Sequence, residues 1–108
     1  MSRERLGTFE LMVLLAVLQA DEDAYGVTIA GILSKSLRRD VLIGSVYAAL
    51  TRLEGKGLVQ SSLGDPSAER GGRAKRYFAV TKAGVKEVSA TQRALARLST
   101  PLLKAAEA

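Results

Sequence analysis

Apolar residues along this 108-residue chain change their spacing several times, and each change marks an element. In TFELMVLLAVLQA, Phe9, Leu11, Met12, Leu14, Leu15, Val17 and Leu18 follow a helical period but cover most of the wheel. Thr8 is placed to cap this helix, and Glu10 lies in its first turn, where a carboxylate favours the helix dipole. A helix apolar on so many sides is either the centre of a core or a core helix whose outer face meets a second subunit. Asp21, Glu22 and Asp23 break the run and are expected to cap the next helix, in which Tyr25, Ile29, Ile32, Leu33 and Leu37 share a face. Gly26 and Gly31 interrupt that helix, either for close helix approach or as tolerated weak positions.

A short extended stretch at residues 40–42 leads into GSVYAALTRLEGKG, where Val46, Leu50 and Leu53 form a narrow apolar stripe and Gly57 is placed to terminate the helix. Its opposite surface carries Gly44, Ser45, Ala48, Thr51 and Arg52, which are small or hydrogen-bonding. Such a face admits either a packed neighbour or a base edge in a DNA groove. Residues 58–63 and 74–80 then read as strands, with Phe78 and Val80 on one side and Lys75 and Tyr77 on the other. The linker between them, GDPSAERGGR, is too long for a tight turn and rich in Gly, Pro and charge. Thr81 is a credible N-cap for a final helix through Arg97 that carries Val85, Val88, Leu95 and Leu98, and Ser99-Thr100-Pro101 interrupts it before a last turn with Leu102.

Helix, helix, short strand, helix, strand, basic loop, strand, helix is the order of a winged helix-turn-helix. The expected fold is therefore mainly α with a small β-wing. Residues 1–81 are expected to form the winged helix-turn-helix DNA-binding domain, and residues 82–108 to add a C-terminal dimerisation helix within one structural unit. The tail helix follows heptad spacing only weakly, since Gln92 and Ser99 fall on its seam.

Composition narrows the chemistry. With no His and no Cys, the chain has no imidazole base, no thiolate nucleophile and no soft metal ligand. Its acids form no recognisable pair and no phosphate-binding glycine loop occurs, so neither an enzyme nor a cofactor or metal is expected. No cleavable leader follows Met1, and the longest apolar run, residues 11–18, falls short of the roughly 20 residues of a membrane span, which points to the cytoplasm. The formal charge of +5 is concentrated: residues 35–82 hold ten basic and four acidic side chains, leaving the flanks at −1. A basic middle between near-neutral helices suits a polyanion, although solvated loops also collect Lys and Arg.

The segments GSVYAALTRLEGKGLV and ERGGRAKRYFAVTKAG, with the opening LGTFELMVLLAVLQADEDAYGV, resemble the PadR-like transcriptional regulators over residues 6–84. The resemblance implies a homodimeric repressor that binds double-stranded DNA, its third helix in the major groove and its wing along the backbone. Carried over by position, it implies groove contacts from Gly44, Ser45, Tyr47, Ala48, Thr51 and Arg52, with Tyr47 on a phosphate. The wing and flank contacts would be Lys35, Arg70, Arg73, Lys75 and Arg76. Arg52 is the candidate for a base edge, because a guanidinium can bond guanine O6 and N7 together. The dimer interface is expected from Phe9, Met12, Val85, Val88, Leu95, Leu98 and Leu102. Some relatives bind planar aromatic effectors at that interface, which leaves a small-molecule effector open, though no Trp is present to stack one. A winged-helix protein-interaction module and a small basic RNA-binding protein are the alternatives, the second weakened by a content of only five aromatic residues.

Overall fold

The structure, a computed structural model, describes residues 6–64 and 75–107. The elements run α1 (Thr8–Ala20), a 3-10 turn (Asp21–Asp23), α2 (Gly26–Leu37), α3 (Ile43–Gly55), β1 (Val59–Leu63), β2 (Arg76–Val80), α4 (Lys82–Leu98) and α5 (Thr100–Glu107). The all-round apolar character of α1 reflects a central position, in contact with α2, α3, β2 and α4. Val13, Leu14, Ala16 and Val17 of α1 meet Ile29 and Leu33 of α2, Val46, Leu50 and Leu53 of α3, Val59, Phe78 and Val88 in one core. Complete burial of Leu14, Ile29, Leu50 and Leu53 contributes about 1.5–3 kcal/mol each before entropy is counted.

Helix ends account for several departures from the pattern reading. Gly7, one residue before Thr8, is the N-cap of α1, and its N–H donates to the Glu10 carboxylate at 3.1 Å. The acidic turn ends α1 but supplies no cap to α2, whose N-cap is Tyr25, with no capping hydrogen bond from its side chain. At the far end of α3, Gly57 adopts φ +77°, and the N–H groups of Leu58 and Gly57 donate to the carbonyls of Leu53 and Glu54. That left-handed residue is a position where glycine costs nothing. Thr81 caps α4 by accepting from the Gly84 N–H at 3.0 Å and donates to the Gly57 carbonyl at 2.7 Å, tying the tail helix to the end of α3. Gly84 is required there, because a Cβ would collide with the Leu58 carbonyl oxygen.

β1 and β2 pair antiparallel, with Val59 opposite Val80, Ser61 opposite Phe78 and Leu63 opposite Arg76. The strand expected at residues 40–42 does not form. Those residues make the turn between α2 and α3, where Ser34 Oγ accepts from the Val41 N–H at 2.9 Å. The third sheet position is filled instead by the residue pair before α2: Tyr25 bridges Tyr77, and the Phe78 N–H donates to the Ala24 carbonyl at 2.8 Å. β2 thus has β1 on one edge and the entry to α2 on the other, which fixes the wing against the helical body.

The tail leaves the body. Gly84 and Val88 are buried, but from Leu95 onward α4 and α5 expose their apolar side chains, Leu98 at 76% and Leu102 at 66%. The radius of gyration, 15.9 Å, exceeds the roughly 13 Å of a compact domain this size, consistent with a projecting helical arm. No described helix is long and apolar enough to cross a membrane.

Candidate nucleic-acid interface

α3 turns Val46, Ala49, Leu50 and Leu53 inward, which leaves its other side at the surface. Gly44, Ser45, Tyr47, Ala48, Thr51 and Arg52 are all exposed there. Gly44, Ala48 and Thr51 recur at one helical spacing and project little, so a duplex could approach the α3 backbone closely. Thr51 Oγ1 donates to the Tyr47 carbonyl at 2.9 Å and retains its lone pairs as acceptors. Leu42 precedes the helix without capping it by a side chain. Helix starts of this kind suit anions.

Two side chains flank the small face. Tyr47 lies across the start of α2 and reaches Phe78, with ring centroids 6.3 Å apart. It explains Gly26, since a Cβ there would stand 2.5 Å from the tyrosine hydroxyl oxygen. Gly31 has nothing within 4 Å and requires no such explanation. On the other flank, Arg52 sends its Nε to Glu10 Oε2 at 2.8 Å, while Lys56 Nζ meets Oε1 of the same carboxylate at 2.9 Å. Burial pushes the Glu10 carboxyl upward, but the hydrogen bonds from Lys56, Arg52 and the Gly7 N–H outweigh it and hold the pKa at about 2. Arg52 itself remains 55% exposed along its side chain.

Of the expected wing contacts, Arg70 and Arg73 lie outside the described residues. Arg76 is exposed on β2 and donates from Nη1 to Ser61 Oγ at 3.0 Å, and Ser61 in turn donates to Glu54 Oε2 at 2.8 Å, a relay from wing to α3. Lys75 sits at the wing base with Nζ 4.3 Å from the Tyr25 ring centroid, a cation–π contact, and Tyr25 packs edge-on against Tyr77. Lys35 is exposed in the last turn of α2. Among the expected dimer residues, Val85, Leu95, Leu98 and Leu102 are exposed and Phe9 and Met12 half-buried. Val88 is the exception: at 4% exposure it belongs to the chain's own core and has no surface to offer a second subunit.

Pattern reading gives Glu10 only a place in the first turn of α1 and misses its partners on α3. Its signal was its spacing, because Glu10, Leu14 and Val17 stand at i, i+4 and i+7, which puts a carboxylate on the buried face of α1. Among the described residues no cluster of acids could hold a metal ion.

Comparison with known proteins agrees with this geometry. Residues 14–90 match the transcriptional regulator PadR-like family. A PadR-like transcriptional regulator from Bacillus cereus has a similar structure, with a TM-score of 0.76 and 22% identity over 94% of each chain. A PadR family regulator from Eggerthella lenta is similar at TM-score 0.69 and 23% identity, covering 89% of this chain and 81% of that one. A transcriptional regulator from Clostridium thermocellum matches at TM-score 0.69 and 18% identity, covering 88% and 89% respectively. No protein of curated function matches in sequence. With a winged helix-turn-helix body and a family match over most of its length, the chain belongs to the PadR-like family, whose members are DNA-binding transcriptional regulators and not enzymes.

Proposed function

We propose that this protein is a homodimeric repressor that binds a palindromic operator and blocks transcription by occupying it. The observation that carries the reading is the outer face of α3, where small Gly44, Ala48 and Thr51 lie between Arg52 and Tyr47, all exposed. In this arrangement α3 enters the major groove, Arg52 bonds a guanine edge, and Ser45, Thr51 and Tyr47 bond bases or phosphates along the strand. Lys35, Lys75 and Arg76, with Arg70 and Arg73 of the wing, contact phosphates and fix register without reading sequence.

Residues 1–81 contact DNA and residues 82–108 pair the subunits. The support for pairing is the exposed apolar side chains Leu95, Leu98 and Leu102 on an arm that projects from the body, with Val85 exposed at its base. Phe9 and Met12, half-buried on α1, are the further contacts in this reading. Between α1 and α2, a groove of about 160 Å³ is lined by Met12, Leu15, Ile32 and Leu33. Drug-sized ligands usually occupy about 300 Å³ or more, so an effector at this groove needs a second subunit to complete its site.

Selection of bound duplexes from a random pool, with sedimentation of the same protein, tests the reading. The expected product is a palindrome whose half-sites are centred about 34–36 Å apart, bound by a dimer. A pool that converges on no sequence, or a monomer at binding concentrations, would overturn it and favour a protein-interaction role.

A further inference from the structure

We infer that Glu10 is a positioning residue for DNA recognition, its buried carboxylate gripping Arg52 and setting the direction in which that guanidinium leaves α3. The inference rests on the reading above that Arg52 contacts a base.

Two features of the cluster separate this role from that of an ordinary core ion pair. The first is surplus. Glu10 is 6% exposed, and Lys56, whose side chain is 22% exposed, together with the Gly7 N–H already supplies a charge and a hydrogen bond against its burial. Arg52 brings a second positive charge to one carboxylate, and its side chain stays largely in solvent. The second is the atom used. Glu10 engages Nε at 2.8 Å, and a guanine edge is read by the terminal amino groups at the other end of the same planar fork. A long side chain that would otherwise sample many rotamers is thus held before DNA arrives, so less freedom is lost on binding. Because the other carboxylate oxygen takes the Gly7 N–H, the anchor is fixed to the start of α1 rather than to a mobile surface group.

Glu10 also places a negative charge beside a surface that meets a polyanion. Removing that charge should make the protein bind any duplex more tightly while discriminating less. A purely structural role cannot produce these opposite changes.

The test compares Glu10→Gln, Glu10→Asp, Arg52→Ala and the Glu10→Gln/Arg52→Ala pair in the full chain. Affinity is measured by fluorescence anisotropy on the selected operator and on a scrambled duplex at one salt concentration, with thermal melting alongside. Arg52→Ala is expected to lower the operator-to-scrambled ratio about tenfold or more. Glu10→Gln should lower that ratio about fivefold and raise affinity for scrambled DNA, and the double variant should fall no further than Arg52→Ala alone. Glu10→Asp keeps the charge but withdraws it by one methylene, so the ratio falls without the rise on scrambled DNA. If Glu10→Gln does not fold, this shorter acid carries the test. A ratio unchanged by both Glu10 variants, with Arg52→Ala still effective, overturns the positioning role alone. An unchanged ratio in Arg52→Ala overturns the base-reading role, and the positioning role with it.

Discussion

A methyl group on Gly26 would press into the Tyr47 phenol, whereas one on Gly31 of the same helix would enter open space. The two glycines look alike in the sequence, and only the partner across the helix pair separates them. Gly26→Ala should destabilise the fold by about 1–3 kcal/mol through overpacking. Gly31→Ala should stabilise it by about 0.5–1 kcal/mol by removing backbone freedom from a helix interior. Urea unfolding of both variants checks the pair, and a stabilised Gly26→Ala would contradict the position assigned to Tyr47. The stability contributed by Glu10 depends on pH. Its folded-state pKa of about 2 lies below the ordinary 4.5, so its ion pairs contribute fully above pH 4.5 and are lost as the pH falls towards 2. Arg52 is solvent-exposed, which screens the pair, so the loss should be about 1–2 kcal/mol. Acid titration should show this step in the parent protein and not in Glu10→Gln.

At the scale of elements, residues whose partners are close in sequence were the legible ones. The inward stripe of α3, the Gly57 terminator, the Thr81 cap and both wing strands all follow from spacing or local turn chemistry. What was hidden depends on partners far along the chain. Tyr25 takes the third place in the sheet because the chain returns fifty residues later to lay Tyr77 and Phe78 beside it, and nothing local distinguishes it from a helix-start residue. Residues 40–42 are extended enough to suggest a strand but have no strand beside them. Arg52 reads from the sequence as a base-edge candidate with no partner in its own chain, and only the fold brings Glu10, on a different helix, to hold it. The outward face of α3 was visible as a set of small residues, yet smallness alone could not separate helix packing from groove entry. Exposure of the whole set supports the second. The contrast between elements is testable: Arg52→Ala should cost about 1–3 kcal/mol mainly on the operator, whereas Arg76→Ala should weaken operator and scrambled DNA alike. Equal losses from Arg52→Ala on both would contradict base reading by α3.

The whole molecule consists of a body and a projecting arm. The body encloses a core around α1 and presents α3 and the wing, while α4 begins in that core at Gly84 and Val88 and then departs from it. Leu95 and Leu98, 48% and 76% exposed, lie on the departing part, so replacing them tests the proposed pairing without opening the core. The Leu95→Glu/Leu98→Glu variant should sediment as a monomer with a melting profile close to the parent body, and its operator affinity should fall at least about tenfold as the two half-sites become independent. Retained dimerisation would place the subunit contact elsewhere.

Titrating the selected operator and a scrambled duplex across a range of salt concentrations shows whether the basic middle of the chain reads DNA. A dimer touching about 6–8 phosphates should give a log–log slope of affinity against salt of about −5 to −7, with the operator bound at least about a thousandfold more tightly than the scrambled duplex. Equal affinity for the two duplexes, or a slope near zero, would contradict DNA reading by this surface.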